Sequence, residues 1–200
     1  MFMLEQRIQQ QFFDSADLQY QTAESLARPI ADAAQALIGC ITAGGKLLVC
    51  GMGGAAALSQ HFCAALIGRY ERDRPGLAAL ALSADSSVVT ALAARDGLAQ
   101  VFAKQVLALG QPGDTLLLID ALEQEGGPHA SIGAARAREM SVVVIGGPGA
   151  MALRETLSET DVLIVIPHDR AARVVEMQLL ILHCLCDAVD LQLLGEQETQ

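Results

Sequence analysis

The stretch Leu47–Leu66, LLVCGMGGAAALSQHFCAAL, decides how this chain folds. Its first residues, Leu47–Cys50, predict a buried strand that leads into a turn with Gly51, Gly53 and Gly54, and a helix of small residues follows. In a strand–turn–helix unit of this kind, free backbone N–H groups at the helix start lie above the end of the strand and attract anions. The turn therefore predicts a site for an anion, most often a phosphorylated ligand.

The same turn allows two other interpretations. The three glycines fit a purely structural role, because glycine permits positive φ and a close approach of helix to strand. The letters GMGGAA also match a dinucleotide-binding fingerprint that ends in alanine. The residue about twenty positions further on, Glu71, falls in the charged stretch RYERDR rather than at the end of a second strand, so we expect no nucleotide cofactor.

Beyond this unit, short apolar runs alternate with helical stretches. Runs bounded by Gly, Asp or Pro are typical of parallel strands covered on both faces, and they recur at Leu77–Leu82, Thr115–Ile119, Val142–Ile145 and Val162–Ile166. Helical stretches accompany them at Ala55–Tyr70, Ser86–Leu92, Gln100–Leu109, His129–Glu139 and Arg170–Leu194. We therefore predict the α/β class, with a three-layer α/β/α sandwich around a five-stranded parallel sheet.

In this architecture, ligands bind at the carboxyl ends of the strands, where the strand order switches. The loops predicted to carry the site are Gly51–Ala56, Ser83–Ser87 and Asp120–His129. A chain of 200 residues is long enough for one sizeable core. We predict a single domain made of an N-terminal helical segment, an α/β core and a tail, at residues 1–44, 45–195 and 196–200.

The N-terminal segment carries apolar residues at helical spacing from Leu4 to Ile41. Pro29 fits the first turn of a second helix within this segment. The adjacent Phe12 and Phe13 fit either core packing or an exposed patch that binds a partner. The sequence leaves both uses open.

Composition limits the partners and the compartment. The formal net charge of −10 argues against non-specific binding to nucleic acid or to an anionic membrane, so a protein or a small ligand is the expected partner. The chain has neither a signal-peptide pattern at its start nor a plain bilayer span, and we expect a cytoplasmic protein. The cysteines form no CxxC pair and are predicted to be reduced, buried thiols rather than metal ligands: Cys40, Cys50, Cys63, Cys184 and Cys186.

Three stretches of the chain resemble the sugar isomerase (SIS) domain family. They are GMGGAAALSQHFCAALIGRYERDRPGLAALALSADSSVVTAL (51–92), LALGQPGDTLLLID (107–120) and PHDRAARVVEMQLLILHCLCDAVD (167–190). The resemblance covers nearly the whole chain and is to the branch that contains phosphoheptose isomerase and DiaA, a protein that associates with a replication initiator. It implies a flavodoxin-like sheet and a homotetramer with ligand sites at subunit contacts.

Two loops depart from the pattern of that family. The first turn reads GNGGS in the family and Gly51–Ala55, GMGGA, here, so an amide and a hydroxyl are missing. The loop after the third strand reads STSGNS in the family, whereas Asp120, Glu123 and Glu125 stand in this chain. These carboxylates are expected to repel phosphate or, alternatively, to bind a divalent metal or form an acidic surface loop.

The catalytic and zinc-binding positions of the family are half retained. His61 matches a histidine of the family, but Ala65 replaces the glutamate one turn later. His183 matches the second histidine, whereas Val175 stands at the glutamine position and an unrelated Gln178 lies nearby. A four-ligand zinc site cannot be assembled from two imidazoles, so we expect no metal.

Each candidate residue has a second, plainer interpretation. His61 and His183 fit either core or interface histidines held by one hydrogen bond, or surviving acid–base groups. The run Arg69, Arg72 and Arg74 either steers an anion or pairs with its own acidic neighbours in a solvated turn. The predicted ligand-binding set is Gly51, Gly53, Gly54, Ala55, His61, Arg69, Ser83, Asp85 and His183.

From these departures we expect a protein without catalytic activity, a homotetrameric scaffold of the DiaA-like kind. The resemblance makes a replication initiator its natural partner. The alternative hypothesis is an active phosphosugar isomerase that uses His61 and His183. A third hypothesis is a sensor that binds a sugar derivative lacking phosphate through Arg69, Ser83 and Asp85.

Overall fold

The computed structural model describes residues 2–120 and 129–196. A long helix, α1, precedes five strands that alternate with further helices. The strands are β1 (Leu47–Cys50), β2 (Ala79–Ala81), β3 (Thr115–Asp120), β4 (Ser141–Gly146) and β5 (Val162–Val165). The helices are α1 (Phe2–Thr42), α2 (Gly54–Ile67), α3 (Ser86–Asp96), α4 (Val101–Leu109), α5 (Ala130–Ala137) and α6 (Ala171–Leu194), with short 3₁₀ helices at Leu98–Gln100 and Pro148–Thr156.

The strands form one parallel sheet in the order β2-β1-β3-β4-β5. Each strand lies within two residues of its predicted position, and the predicted three-layer α/β class is confirmed. The chain proceeds from β1 to β2 on one side and then crosses to β3 on the other side. The strand order therefore switches between β1 and β3, which is where ligands bind in open α/β sheets.

Both faces of the sheet are covered, as the apolar runs predict. Leu47 and Val49 of β1 belong to a cluster with α1, α2 and α6, whereas Leu48 and Cys50 belong to a cluster with α4 and α5. Side chains of a strand alternate between its two faces, so all four residues of β1 are buried. This double burial is why β1 is continuously apolar instead of alternating with polar residues.

Helix α1 corrects one prediction. It runs without a break through Pro29, so the expected second helix is wrong. Buried residues on both sides of Pro29, including Leu26 and Ala33, fix the helix against the core, and this packing outweighs one lost backbone hydrogen bond. Phe12 and Phe13 are 73% and 60% exposed, which excludes core packing within the chain.

The cysteines also differ in part from the prediction. Four are buried, but Cys184 is exposed on α6. Burial raises the pKa of Cys50, Cys63 and Cys186 to about 12, so these thiols stay protonated at neutral pH. Among the described residues, no helix is long and apolar enough to cross a membrane. The division into segment, core and tail stays a prediction.

Asp114 joins the two loops that enter β1 and β3. Its Oδ1 accepts a hydrogen bond from the backbone N–H of Lys46 at 2.9 Å, and its Oδ2 accepts one from Gln111 at 2.8 Å. The ammonium group of Lys46 lies 2.5 Å from Oδ2. Burial by itself raises the pKa of Asp114, but these donors outweigh it and lower the pKa below its ordinary value.

We expect Asp114→Asn to lower the free energy of unfolding at pH 7 by about 1.5–3 kcal/mol, the range for hydrogen bonds to a charged group. Because the folded pKa of Asp114 is lowered, its stabilisation is present above pH ~4 and is lost as the pH falls through the folded pKa. The difference between the two proteins should therefore shrink in acid. Urea unfolding across this pH range measures it.

The matched control is Asp32→Asn, because Asp32 forms an exposed ion pair with Arg28 on α1. Its effect should stay below about 1 kcal/mol. An Asp114→Asn protein as stable as wild type at pH 7 would contradict the role given to this carboxylate.

Candidate functional site

The glycine turn closes β1 tightly against α2. A Cβ atom on Gly51 would lie 2.7 Å from the Cβ of Ala55 and 2.8 Å from its carbonyl oxygen, so only glycine fits. Gly53 has φ +57° and directly precedes α2, whose first residue is Gly54. No described side chain caps this helix start, and its first turn carries no acidic residue. The positive end of the α2 dipole therefore faces the carboxyl edge of the sheet, as an anion site requires.

The loop after β2 contributes one residue to this edge. The hydroxyl of Ser83 donates to the carbonyl of Ala56 at 3.4 Å, which places Ser83 beside the first turn of α2. Asp85 has a structural task, because its Oδ1 accepts from the backbone N–H groups of Ser87 and Val88 and caps α3. A ligand role for either residue stays a prediction.

The loop after β3 is described only at its two ends. Asp120 is nearly buried, and its Oδ2 lies 2.9 Å from Nε2 of His129. Of the predicted carboxylates, Glu123 and Glu125 lie outside the described residues. The Asp120 carboxylate thus has a partner within the described residues, and the expected repulsion of phosphate by this loop stays a prediction.

A buried amide ties α6 to the same edge. The Nε2 of Gln178 donates to the carbonyl oxygens of Asp120 and Ile145, at 2.9 and 3.2 Å. These carbonyls lie in β3 and β4, so one side chain fixes α6 across two strands. Its Oε1 is buried without a partner among the described residues.

The two histidines that match the family pattern lie in contact in the folded chain. His61 on α2 and His183 on α6 are 122 residues apart in sequence, yet their Nε2 atoms lie 3.0 Å apart. The rings meet edge to face, with 5.2 Å between centroids and 61° between planes. His61 is exposed and His183 is half-buried, so neither is a core histidine within this chain, whereas the interpretation as interface histidines stays a prediction. Among the described residues, each imidazole forms its hydrogen bond with the other.

Tyr70 adds an aromatic wall that sequence analysis missed. Its ring centroid lies 5.5 Å from that of His183, with 36° between the planes. Desolvation raises the pKa of Tyr70, and the acidic neighbours Glu71 and Asp187 raise it further. The phenol therefore stays protonated and can donate a hydrogen bond at neutral pH.

The basic run that carries Tyr70 is only partly self-paired. Arg69 pairs with Asp73 at 2.7 Å on the surface, as the solvated-turn interpretation predicts. Arg74 differs from that interpretation, because its Nε binds Asp190 of α6 at 2.5 Å. Its other guanidinium nitrogens donate to the carbonyls of Ala65 and Leu66. This buried pair anchors the turn beside the histidines. Asp190 lies seven residues after His183, on the same face of α6. This spacing is the sequence signal that could have indicated that Asp190 lies near the histidines.

The residues of the predicted ligand-binding set lie at different positions along α2. The glycine turn and Ser83 lie at the start of the helix, and His61 lies about 10 Å further along its axis. Arg69 follows the far end, about 20 Å from the turn. The structure brings His61 to His183 and the turn to Ser83, but within this chain it does not bring Arg69 to the glycine turn.

Comparison with known proteins decides the family. The sequence pattern of the SIS domain matches residues 11–147. The chain belongs to the SIS domain family. A phosphoheptose isomerase from Methylibium petroleiphilum is 55% identical over 198 residues, 99% of each chain.

Solved structures agree with this assignment. A phosphoheptose isomerase from Francisella tularensis superposes with a TM-score of 0.89 at 37% identity, covering 95% of this SIS chain and 99% of the other. The phosphoheptose isomerase GmhA from Neisseria gonorrhoeae gives 0.87 at 36% identity, covering 94% and 98%.

These relatives correct the functional expectation. A non-catalytic scaffold was expected because family residues are missing, but relatives that match the chain from end to end are phosphoheptose isomerases. The scaffold hypothesis is therefore wrong, and the comparisons favour the isomerase alternative. The sequence shows which single donors are missing, but it does not show that His61 and His183 lie in contact.

The glycine turn offers a test in which the two variants differ only in position. Gly51→Ala should lower the free energy of unfolding by about 1–3 kcal/mol, because its methyl group would overlap Ala55. Gly54→Ala is the matched control, since a Cβ there meets nothing within 4 Å and alanine favours the helix. Urea unfolding compares them. Equal stability of the two variants would contradict the tight closure of β1 on α2.

Proposed function

We propose that this protein is an aldose–ketose isomerase that acts on a phosphorylated sugar of the heptose class. The observation that carries the proposal is the contact between His61 and His183, two acid–base groups brought within 3.0 Å on an accessible surface. The phosphoheptose isomerases similar to the chain over its whole length support the substrate class.

Isomerisation needs one group to take a proton from carbon and another to protonate the carbonyl oxygen. In the free pair, one imidazole donates its Nε2–H to the Nε2 lone pair of the other. A substrate carbonyl that replaces this acceptor receives the hydrogen bond and frees the second lone pair for the neighbouring C–H proton. The resulting enediol returns a proton to the former carbonyl carbon and loses its other hydroxyl proton, so the carbonyl moves by one carbon without any oxidant or reductant.

The glycine turn gives the phosphate a place. The start of α2 has no cap from a described side chain and offers the positive end of a helix dipole about 10 Å along the helix from His61, while the backbone N–H groups of Ala55 and Ala56 donate within the turn. An extended sugar phosphate chain can span this separation. Tyr70 lies beside His183 and is placed to donate to a sugar hydroxyl.

A homotetramer is part of the proposal. The first helical turns of α1 expose large apolar side chains that a subunit contact would cover: Phe2, Met3, Leu4, Ile8, Phe12 and Phe13. Neighbouring subunits would also bring groups such as Arg69 towards a site that one chain leaves open. A replication initiator as a partner stays a prediction.

We expect His61→Ala and His183→Ala each to lower kcat for the interconversion of sedoheptulose phosphate and its aldose by about 10²–10⁴-fold, the range for a lost acid–base group. A coupled assay or NMR of the sugar signals measures turnover. The control is Gln60→Ala, an exposed neighbour of His61 on α2, which should keep wild-type turnover. Wild-type protein without turnover, or histidine variants as active as Gln60→Ala, would refute the proposal.

A further inference from the structure

Zinc is the metal that the family resemblance implies, and the donor atoms of this chain decide whether it fits. Protein zinc sites use His, Cys, Asp and Glu, with four ligands or with three and an open position. Here His61 and His183 are the donors that face each other. Within residues 2–120 and 129–196, no group of three or more His, Cys, Asp or Glu side chains could hold a metal ion.

The helix positions beside the histidine pair carry hydrocarbon. One turn after His61, Ala65 presents a methyl group and is only 8% exposed. On α6, Val175 lies about two turns before His183 and packs against the core. These are the positions where the resemblance places the other two metal donors. Zinc does not fit this set of side chains.

The histidine pair is already satisfied without an ion. One Nε2 carries the proton and the other supplies the lone pair at 3.0 Å. A metal would require both rings to be deprotonated at Nε2 and both lone pairs to face the ion. Zinc binding would therefore break the hydrogen bond, and only two protein ligands would replace it.

We propose that His61 and His183 work as a metal-independent acid–base pair, so that this chain isomerises its substrate without zinc. The inference rests on the proposed function and narrows it. The proton transfers need only the two imidazoles, since one ring supplies the acid and the other the base. Polarisation of the carbonyl by an ion is replaced by the Nε2–H donor.

Zinc affinity tests the inference independently of turnover. Wild type, titrated against a fluorescent zinc chelator, should retain no more zinc than His61→Ala. The double variant Ala65→Glu/Val175→Gln brings the number of donors to the four that a zinc site uses and should bind zinc more tightly than wild type. Ala64→Glu is the matched control, because it places the same carboxylate on an exposed position about 100° around the helix and should gain nothing.

Turnover after treatment with EDTA gives the second measurement. Activity that stays within twofold of the untreated enzyme, together with background zinc binding, supports the inference. Stoichiometric zinc on wild type but not on His61→Ala, or activity lost to EDTA and restored by zinc, overturns it and leaves the isomerase proposal standing.

The two proposals fail in different ways. Absence of turnover under every condition contradicts the proposed function, whereas the zinc titration still decides the metal question. If the double variant does not fold, the comparison of wild type with His61→Ala decides alone.

Discussion

The contact of α2 with the end of β1 is the constraint on which the site depends. Gly51 has no room for a side chain, because Ala55 lies against its backbone. This closure fixes the direction in which α2 leaves the sheet, and the direction of α2 sets the position of His61. The same closure aims the uncapped start of the helix at the carboxyl edge of the strands. One steric restriction thus positions both the predicted anion site and His61, one member of the proposed acid–base pair.

Helix α6 carries His183, the second histidine of the pair, and its contacts tie the sheet to the turn after α2. Gln178 fixes it to the carbonyls of β3 and β4, and Asp190 fixes it to Arg74 in the turn after α2. Both contacts are buried, where an unpaired partner would be costly, so α6 has little freedom to shift. His183 lies between these two anchors. Buried contacts on either side therefore hold His183 at its distance from His61, and the proposed proton transfer would require such preorganisation.

The contact between His61 and His183 changes how the departures from the family pattern are interpreted. Ala65 and Val175 remove donors, and on sequence grounds that loss favoured an inactive protein. The folded chain retains two imidazoles in direct contact, and isomerisation needs a base and an acid rather than any particular ion. The missing metal ligands therefore bear on whether the reaction uses a metal ion, and they do not by themselves exclude the reaction. The end-to-end similarity to phosphoheptose isomerases agrees with this view.

The sequence by itself determined the layers of the fold. Continuous apolar runs and the glycine turn identify buried parallel strands, because these signals arise from neighbouring residues and from burial on both faces. Local sequence patterns gave wrong predictions where a contact between residues distant in sequence determined the structure. Helix α1 continues through Pro29 because packing on both sides outweighs the tendency of proline to end a helix. Arg74 pairs with Asp190 on α6 and not with the acidic residues next to it in sequence.

The site shows the same division. The turn at Gly51 and the two histidines could be named from the sequence, since each belongs to a short motif. That His61 faces His183, that Tyr70 stands beside them and that Asp120 is paired with His129 could not be predicted. Only the tertiary structure decided these contacts, because they join residues on different elements whose separation depends on how whole helices pack against one sheet.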